Sequence, residues 1–190
     1  MRLALSIRNG AKPHRREIDM ATSVGKNFEI QFAKSAPDYC LVYRVPDSAQ
    51  AFGKSINLRF SRKNAFDYLL WDSKRHKLFA LELKTVGGKS ISFERSKEDK
   101  GEIHWHQIQG LNGWNAYDGI VCGFVIEFRE MELTIFIEID DFNKLIESIG
   151  KKSFTIKDLD DYDVPYLVVP QWKPKVNYRY DVEKILEMKN

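Results

Sequence analysis

Asp67, Glu82 and Lys84 are the residues of this chain whose types and spacing could do chemistry. They lie on two apolar, aromatic-rich runs, Asn64 to Trp71 and Lys77 to Thr85, on either side of the polar stretch Asp72-Ser73-Lys74-Arg75-His76. That pattern predicts a hairpin-like strand pair with Asp67 in its first strand. Glu82 and Lys84, two residues apart, share one face of the second strand, while Leu81 and Leu83 take the other. Charges in so apolar a frame are costly to desolvate without a purpose. A purpose is available. Magnesium takes hard oxygen ligands, usually one or two carboxylates with water and substrate phosphate. Asp67 and Glu82 supply the carboxylates, and the backbone carbonyl of Leu83 lies where it adds another oxygen. Such an ion polarises a phosphodiester and lowers the pKa of a bound water, with Lys84 placed to position that water or offset charge on phosphate. The plainer counterpart is a sheet face tied by an ion pair between Lys84 and Asp67 or Glu82.

The elements around this pair read as mixed α/β. Ser23 caps a helix over 24–34, with Val24, Phe28 and Phe32 as its buried stripe. Glu29 lies beside that stripe, either as an accessory metal ligand or as an ion-paired rim residue. Pro37-Asp38 ends the helix and Tyr39–Val45 reads as a strand. After the hairpin come a turn at Val86–Lys89, a polar loop over 89–102, and a helix over 103–114 with Ile108, Leu111 and Trp114 inward, against which Gly110 and Gly113 count. Strands follow over 119–128, apolar throughout and so central, and over 133–139. Asp140 or Asp141 then caps a helix burying Phe142, Leu145, Ile146 and Ile149, stopped by Gly150. A short segment at 155–161, a strand at 166–169 and a helix from about Asp181 complete the chain. The expectation is one domain over 1–190, a sheet with helices on both faces.

Composition narrows the class. With 43% hydrophobic and 13% aromatic residues, the chain has a globular core and not a disordered composition. Cys40 and Cys122 form neither a CxxC pair nor a disulfide framework, which points to a reducing, cytoplasmic compartment. No apolar run approaches the roughly 20 residues of a membrane helix. His104 and His106 have no cysteine near them and do not read as a zinc site. There is no P-loop, no dinucleotide fingerprint and no serine-nucleophile elbow. The net charge of +3 hides an asymmetry: residues 1–100 carry 20 Lys and Arg against 11 Asp and Glu, residues 101–190 carry 10 against 16. The basic half holds the Asp67–Glu82–Lys84 set, as suits a polyanionic substrate. Residues 1–20 read as a flexible basic arm. Over 46–64, with Arg44 just ahead, Lys54, Arg59, Arg62 and Lys63 oppose only Asp47, with Phe52, Leu58 and Phe60 interspersed. This is either a nucleic-acid-contacting protrusion or a long solvated loop.

Phe66-Asp67-Tyr68 followed by Leu81-Glu82-Leu83-Lys84-Thr85 resembles the D…(D/E)xK signature of restriction-endonuclease-like nucleases. Within that superfamily the chain resembles RecU-type Holliday junction resolvases, through Gly25-Lys26-Asn27-Phe28-Glu29, Ser92-Phe93, His106-Gln107-Ile108 and Val168 to Pro174 in the same order. The resemblance implies a restriction-endonuclease-like mixed central sheet flanked by helices, with residues 46–64 as a protruding basic stalk. It makes Glu29, Asp67 and Glu82 the acidic active-site residues, Lys84 the catalytic lysine and Gln107 a helper, with magnesium as cofactor and manganese as substitute. It further implies paired symmetric nicking of four-way DNA junctions in recombination and repair, by a homodimer whose two-fold axis matches the junction, with a recombinase as a further partner. Phe66 departs from the family, which usually has a small hydroxyl residue there, and residues 1–20 have no counterpart; the chain reads as a divergent member, with host and phage origin both open. A superfamily nuclease acting on linear or damaged duplex, a non-catalytic junction-binding protein and a protein-interaction module remain open at this point.

Overall fold

The structure, a computed structural model, describes residues 23–46 and 64–188. The arm at 1–20 and nearly all of the 46–64 insertion, including Lys54, Arg59, Arg62 and Lys63, lie outside the described residues. In chain order the elements are α1 (Val24–Ala33), β1 (Cys40–Arg44), β2 (Tyr68–Asp72), β3 (Lys77–Val86), β4 (Ser90–Ser92), α2 (Trp105–Asn115), β5 (Ile120–Phe128), β6 (Leu133–Glu138), α3 (Ile139–Ser148), β7 (Ser153–Thr155), α4 (Ile156–Asp161), β8 (Leu167–Val169), β9 (Gln171–Trp172), β10 (Arg179–Tyr180) and α5 (Val182–Leu186).

Six strands form a mixed central sheet in the order β1-β2-β3-β5-β6-β8. The apolar run of β5 does occupy a middle position, parallel to β3 and antiparallel to β6. Alternation on β3 sends side chains to two separate cores. Leu81 and Leu83 join Phe28 and Phe32 of α1, Val121 and Val125 of β5, and Ile185 and Leu186 of α5. Ala80 and Val86 face the other layer, with Ile108 and Leu111 of α2, Phe124 and Ile126 of β5, and Phe142 and Leu145 of α3. Glu82 and Lys84 fall on this second face, by strand periodicity. The chain is thus mixed α/β with helices on both sides of a mixed sheet, as its pattern predicts. Among the described residues, no helix is long and apolar enough to cross a membrane. Cys40 and Cys122 are free and buried, and burial pushes their thiols up to about 11 and about 12.

Several details correct the sequence expectations. Val24 is 50% exposed, so the α1 stripe is Phe28 and Phe32 only, while Ser23 does cap the helix by accepting from the Lys26 N–H. Residues 89–102 are no simple polar loop: β4 pairs with β7, and Ile91 and Phe93 are fully buried. Alternation within a short segment rich in Ser, Lys and Glu hid those two anchors. Neither Asp140 nor Asp141 caps α3, whose N-cap is Glu138; both lie in its first turn, where their charge favours the positive end of the helix dipole. Asp67 sits one residue ahead of β2, although its backbone is held on both sides, donating to the Leu81 carbonyl at 3.1 Å and accepting from the Val45 N–H at 2.8 Å.

The two glycines that counted against α2 have different roles. A Cβ on Gly110 would come 2.2 Å from the Cβ and 3.0 Å from the Cα of Ala65, so only glycine lets the approach to β2 lie directly against the helix. At Gly113 a Cβ would meet nothing within 4 Å. Opposite outcomes follow from one chemical change. Gly113→Ala should raise stability by up to about 1 kcal/mol through helix propensity. Gly110→Ala should lower it by about 1–3 kcal/mol, because overpacking against backbone outweighs that gain. Equilibrium denaturation of both variants checks the pair, and equal effects would show that Ala65 does not pack on α2 as described.

Candidate active site

Four elements bring the polar residues together. β3 carries Glu82, Lys84 and Leu83; the segment entering β2 carries Asp67; α1 carries Glu29; and the third residue of α2 is Gln107. Asp67 brackets Glu82. Its N–H binds the Leu81 carbonyl, and its Oδ2 accepts from the Leu83 N–H at 2.9 Å. N–H and C=O of one strand residue point to the same edge, so the Leu83 carbonyl lies along the edge that Asp67 occupies.

Glu82 is 3% exposed. Lys84 Nζ lies 3.0 Å from its Oε1, and Gln107 Nε2 donates to the same oxygen. The amide of Gln107 is used at both ends, because its Oε1 accepts from the His104 N–H at 2.9 Å and closes the first turn of α2. That double use fixes which way the amide points. Glu29 is held at its Oε2 by Lys26 Nζ at 2.7 Å and by Arg44 Nε at 3.4 Å. These ion pairs place Arg44 beside Glu29.

Burial is the largest influence on both core carboxylates. It pushes Glu82 up to about 8, with Lys84 pulling down and Asp67 and Glu29 adding to the rise. Asp67 is also raised, first by burial, against the Leu83 N–H, with Glu29 adding and Lys84 and Arg44 opposing. Three acids therefore crowd one another, and the nearby cations offset only part of the cost. A divalent cation would relieve that crowding, and the donor set of carboxylate, carboxylate and carbonyl oxygens suits a hard ion such as magnesium. Among the described residues no three His, Cys, Asp or Glu side chains gather closely enough to hold a metal by themselves. The donors that would suit such an ion are Asp67, Glu82 and the Leu83 carbonyl, with water and substrate to complete its coordination.

One layer of the site was not legible as function in the sequence. Glu94, in the segment after β4, accepts from the Trp105 N–H at 2.8 Å and holds His104 Nδ1 at 2.8 Å. Nothing in the spacing of Glu94, His104 and Trp105 announces that clamp, which exists because Phe93 and Glu94 pair with Ile103, just ahead of α2. Phe66, the departure from the family pattern, is buried and packs edge-on against Trp114 with ring centroids 5.1 Å apart.

The raised carboxyl of Glu82 makes stability depend on pH in a definite direction. Between pH 4.5 and about 8 the folded chain keeps a proton that the unfolded chain has released, so folding weakens as pH rises through this window. Glu82→Gln removes that penalty. The variant should be more stable than wild type at pH 8, by on the order of 1–3 kcal/mol, and the difference should vanish near pH 4. Denaturation midpoints across pH read it, and a gap of constant size would mean that Glu82 does not titrate as its surroundings dictate.

No known family profile matches the chain. Among solved structures it is similar to Hjc, a Holliday junction resolvase from the archaeal hyperthermophile Archaeoglobus fulgidus, with TM-score 0.39 and 9% identity over 63% of this chain and 78% of that one. That likeness is too loose to assign fold or function. A curated relative is much nearer in sequence: the SPbeta prophage-derived uncharacterized protein YotM of Bacillus subtilis (strain 168) is 32% identical over 180 residues, covering 87% of this chain and 86% of its own length. With that identity over nearly the whole of both proteins, the chain belongs to the family of the prophage protein YotM.

Proposed function

We propose that this protein is a magnesium-dependent endonuclease that resolves four-way DNA junctions, a divergent relative of the RecU-type resolvases. The observation that carries the reading is the crowding of Asp67 and Glu82 around the Leu83 backbone, with Lys84 3.0 Å from Glu82. An ion pair built only for stability has no need of Asp67 and Glu29, whose repulsion adds to the burial that raises the Glu82 carboxyl.

When bound, a divalent cation at Asp67, Glu82 and the Leu83 carbonyl supplies Lewis-acid polarisation of the phosphodiester and a more acidic water. The remaining work falls to the chain. Lys84 holds its ammonium at the carboxylate edge, where it orients the attacking water or offsets charge growing on phosphate. Gln107 keeps Glu82 from rotating away, and Arg44 and Lys26 hold Glu29 at the rim. The basic insertion, with Lys54, Arg59, Arg62 and Lys63, follows directly on the strand bearing Arg44 and returns at Asn64 beside Asp67, so substrate gripped by it is delivered to the site. A four-way junction is two-fold symmetric and needs a nick in each of two opposing strands. A C2 homodimer supplies two sites with that symmetry, and a recombinase that makes junctions is the natural further partner.

Two experiments test this. With magnesium, wild type should nick four-way junctions symmetrically and leave linear duplex largely intact. Asp67→Asn should still bind junctions but lose nicking by at least a hundredfold, the scale on which catalytic groups act. Cleavage of linear duplex at an equal rate would move the protein to a restriction- or repair-type nuclease, and junction binding without cleavage in magnesium or manganese would remove the enzyme reading. Separately, replacing Arg59, Arg62 and Lys63 together by alanine should weaken junction binding and flatten its dependence on salt, since fewer phosphate contacts release fewer counterions. An unchanged salt slope would exclude the insertion from DNA binding.

A further inference from the structure

At the start of α2 lies an open groove of about 660 Å3 lined by Glu94, Lys97, His104, Trp105, His106 and Gln109. We propose that this groove takes an unpaired DNA strand and leads it to the Asp67–Glu82 site, so that the preferred substrate has unstacked nucleotides at its branch point. What lies at the end of the groove rests on the nuclease reading above; binding in the groove does not.

Three observations point to this occupant. First, the groove wall is tied to the site through one residue: Gln107 donates to Glu82 and accepts from the backbone N–H of His104, so two hydrogen bonds link a lining residue to the carboxylate. Second, the lining is built of flat rings. The imidazoles of His104 and His106 stand 5.5 Å apart at an interplanar angle of 16°, and the half-buried indole of Trp105 lies between them in sequence. Stacked rings offer sequence-tolerant platforms to bases whose faces are free, which duplex DNA hides and an unpaired strand presents. Third, the charge suits phosphate. The one acid of the lining, Glu94, is engaged at both oxygens, by His104 Nδ1 and the Trp105 N–H, each at 2.8 Å. Engaging it fixes the His104 ring and leaves exposed Lys97 as the charge facing a ligand, with the exposed amide of Gln109 beside it. A groove for an acidic protein segment would share the lysine but would have no use for parallel rings.

The test measures binding of the full chain to labelled DNA in calcium, with nicking in magnesium measured separately. The probes are a fully paired four-way junction, the same junction with several unpaired thymines at the branch, and a linear duplex. Wild type should prefer the junction with unpaired thymines. Trp105→Ala should lower that affinity roughly tenfold, the scale of one lost base stack, and erase the preference, while Trp105→Phe should restore most of both. Lys97→Ala, at an exposed position, should weaken binding a few-fold and reduce the salt slope. Should Trp105→Ala fail to fold, Lys97→Ala with Gln109→Ala decides the matter, since both positions are exposed. Equal affinity of folded groove variants and wild type for all three probes overturns the proposal, even where nicking is intact. Groove variants that weaken binding to a wild type that never nicks support the groove and remove the nuclease reading. A wild type that binds no branched DNA overturns both.

Discussion

The burial of Glu82 on a core-facing position of β3 is the constraint on which the rest of the site depends. At 3% exposure a carboxylate cannot keep water for company, so each of its contacts must come from the protein. Lys84, two residues along the same strand, brings a counter-charge at 3.0 Å, and Gln107 brings an amide from the helix that covers this face. Asp67 does not touch Glu82 as a donor. It grips the backbone on either side, at Leu81 and Leu83, and so adds a second carboxyl group where the first is already costly to ionise. The protein thus holds two carboxyl groups in surroundings that raise the proton affinity of both.

Holding that arrangement is the work of one stripe of α2. Gln107, Gly110 and Trp114 follow one another at helical spacing, and each makes one contact of the site: Gln107 meets Glu82, Gly110 lies against Ala65, and Trp114 packs on Phe66. Ala65 and Phe66 are the two residues before Asp67. Docking them on the helix sets the height of Asp67 against β3, while the same helix sets Glu82. In this light Phe66 is an anchor. A small hydroxyl residue in its place would leave Trp114, already 37% exposed, without its ring partner. The departure from the resolvase pattern has a packing reason on this helix.

What the sequence made legible divides along a physical line. The β2–β3 pair, the central β5, the two helices bearing Glu29 and Gln107 and the shared face of Glu82 and Lys84 all follow from periodicity, which depends on a residue's neighbours along the chain. Contacts between distant segments were not legible in that way. The β4–β7 pair rests on Ile91 and Phe93, two apolar residues in a polar stretch, too few to show alternation. Val24 kept the helical spacing of the α1 stripe yet is half exposed and outside the core that Phe28 and Phe32 join. Gly110 and Gly113 have the same propensity and opposite surroundings, a difference carried wholly by Ala65, more than 40 residues away. The Glu94 clamp on His104 and Trp105 belongs to the same class.

A second buried glutamate shows why the Glu82 cluster is not simply how this sheet tolerates charge. Glu127, on β5 next to β3, is nearly as inaccessible, yet its two oxygens accept from the hydroxyls of Thr85 at 2.6 Å and Tyr180 at 2.8 Å. Those neutral donors satisfy the carboxylate and tie β3, β5 and β10 together, which is a sufficient structural role. Glu82 could have been accommodated in the same manner. Instead, burial raises its affinity for a proton, and its neighbours Asp67 and Glu29 add to that rise against the pull of Lys84. A fold that can bury a glutamate among hydroxyls and nonetheless gathers acids one strand away is accepting a stability cost that packing does not require. The ion pair with Lys84 alone does not account for that cost, which the cation proposed for Asp67 and Glu82 would offset.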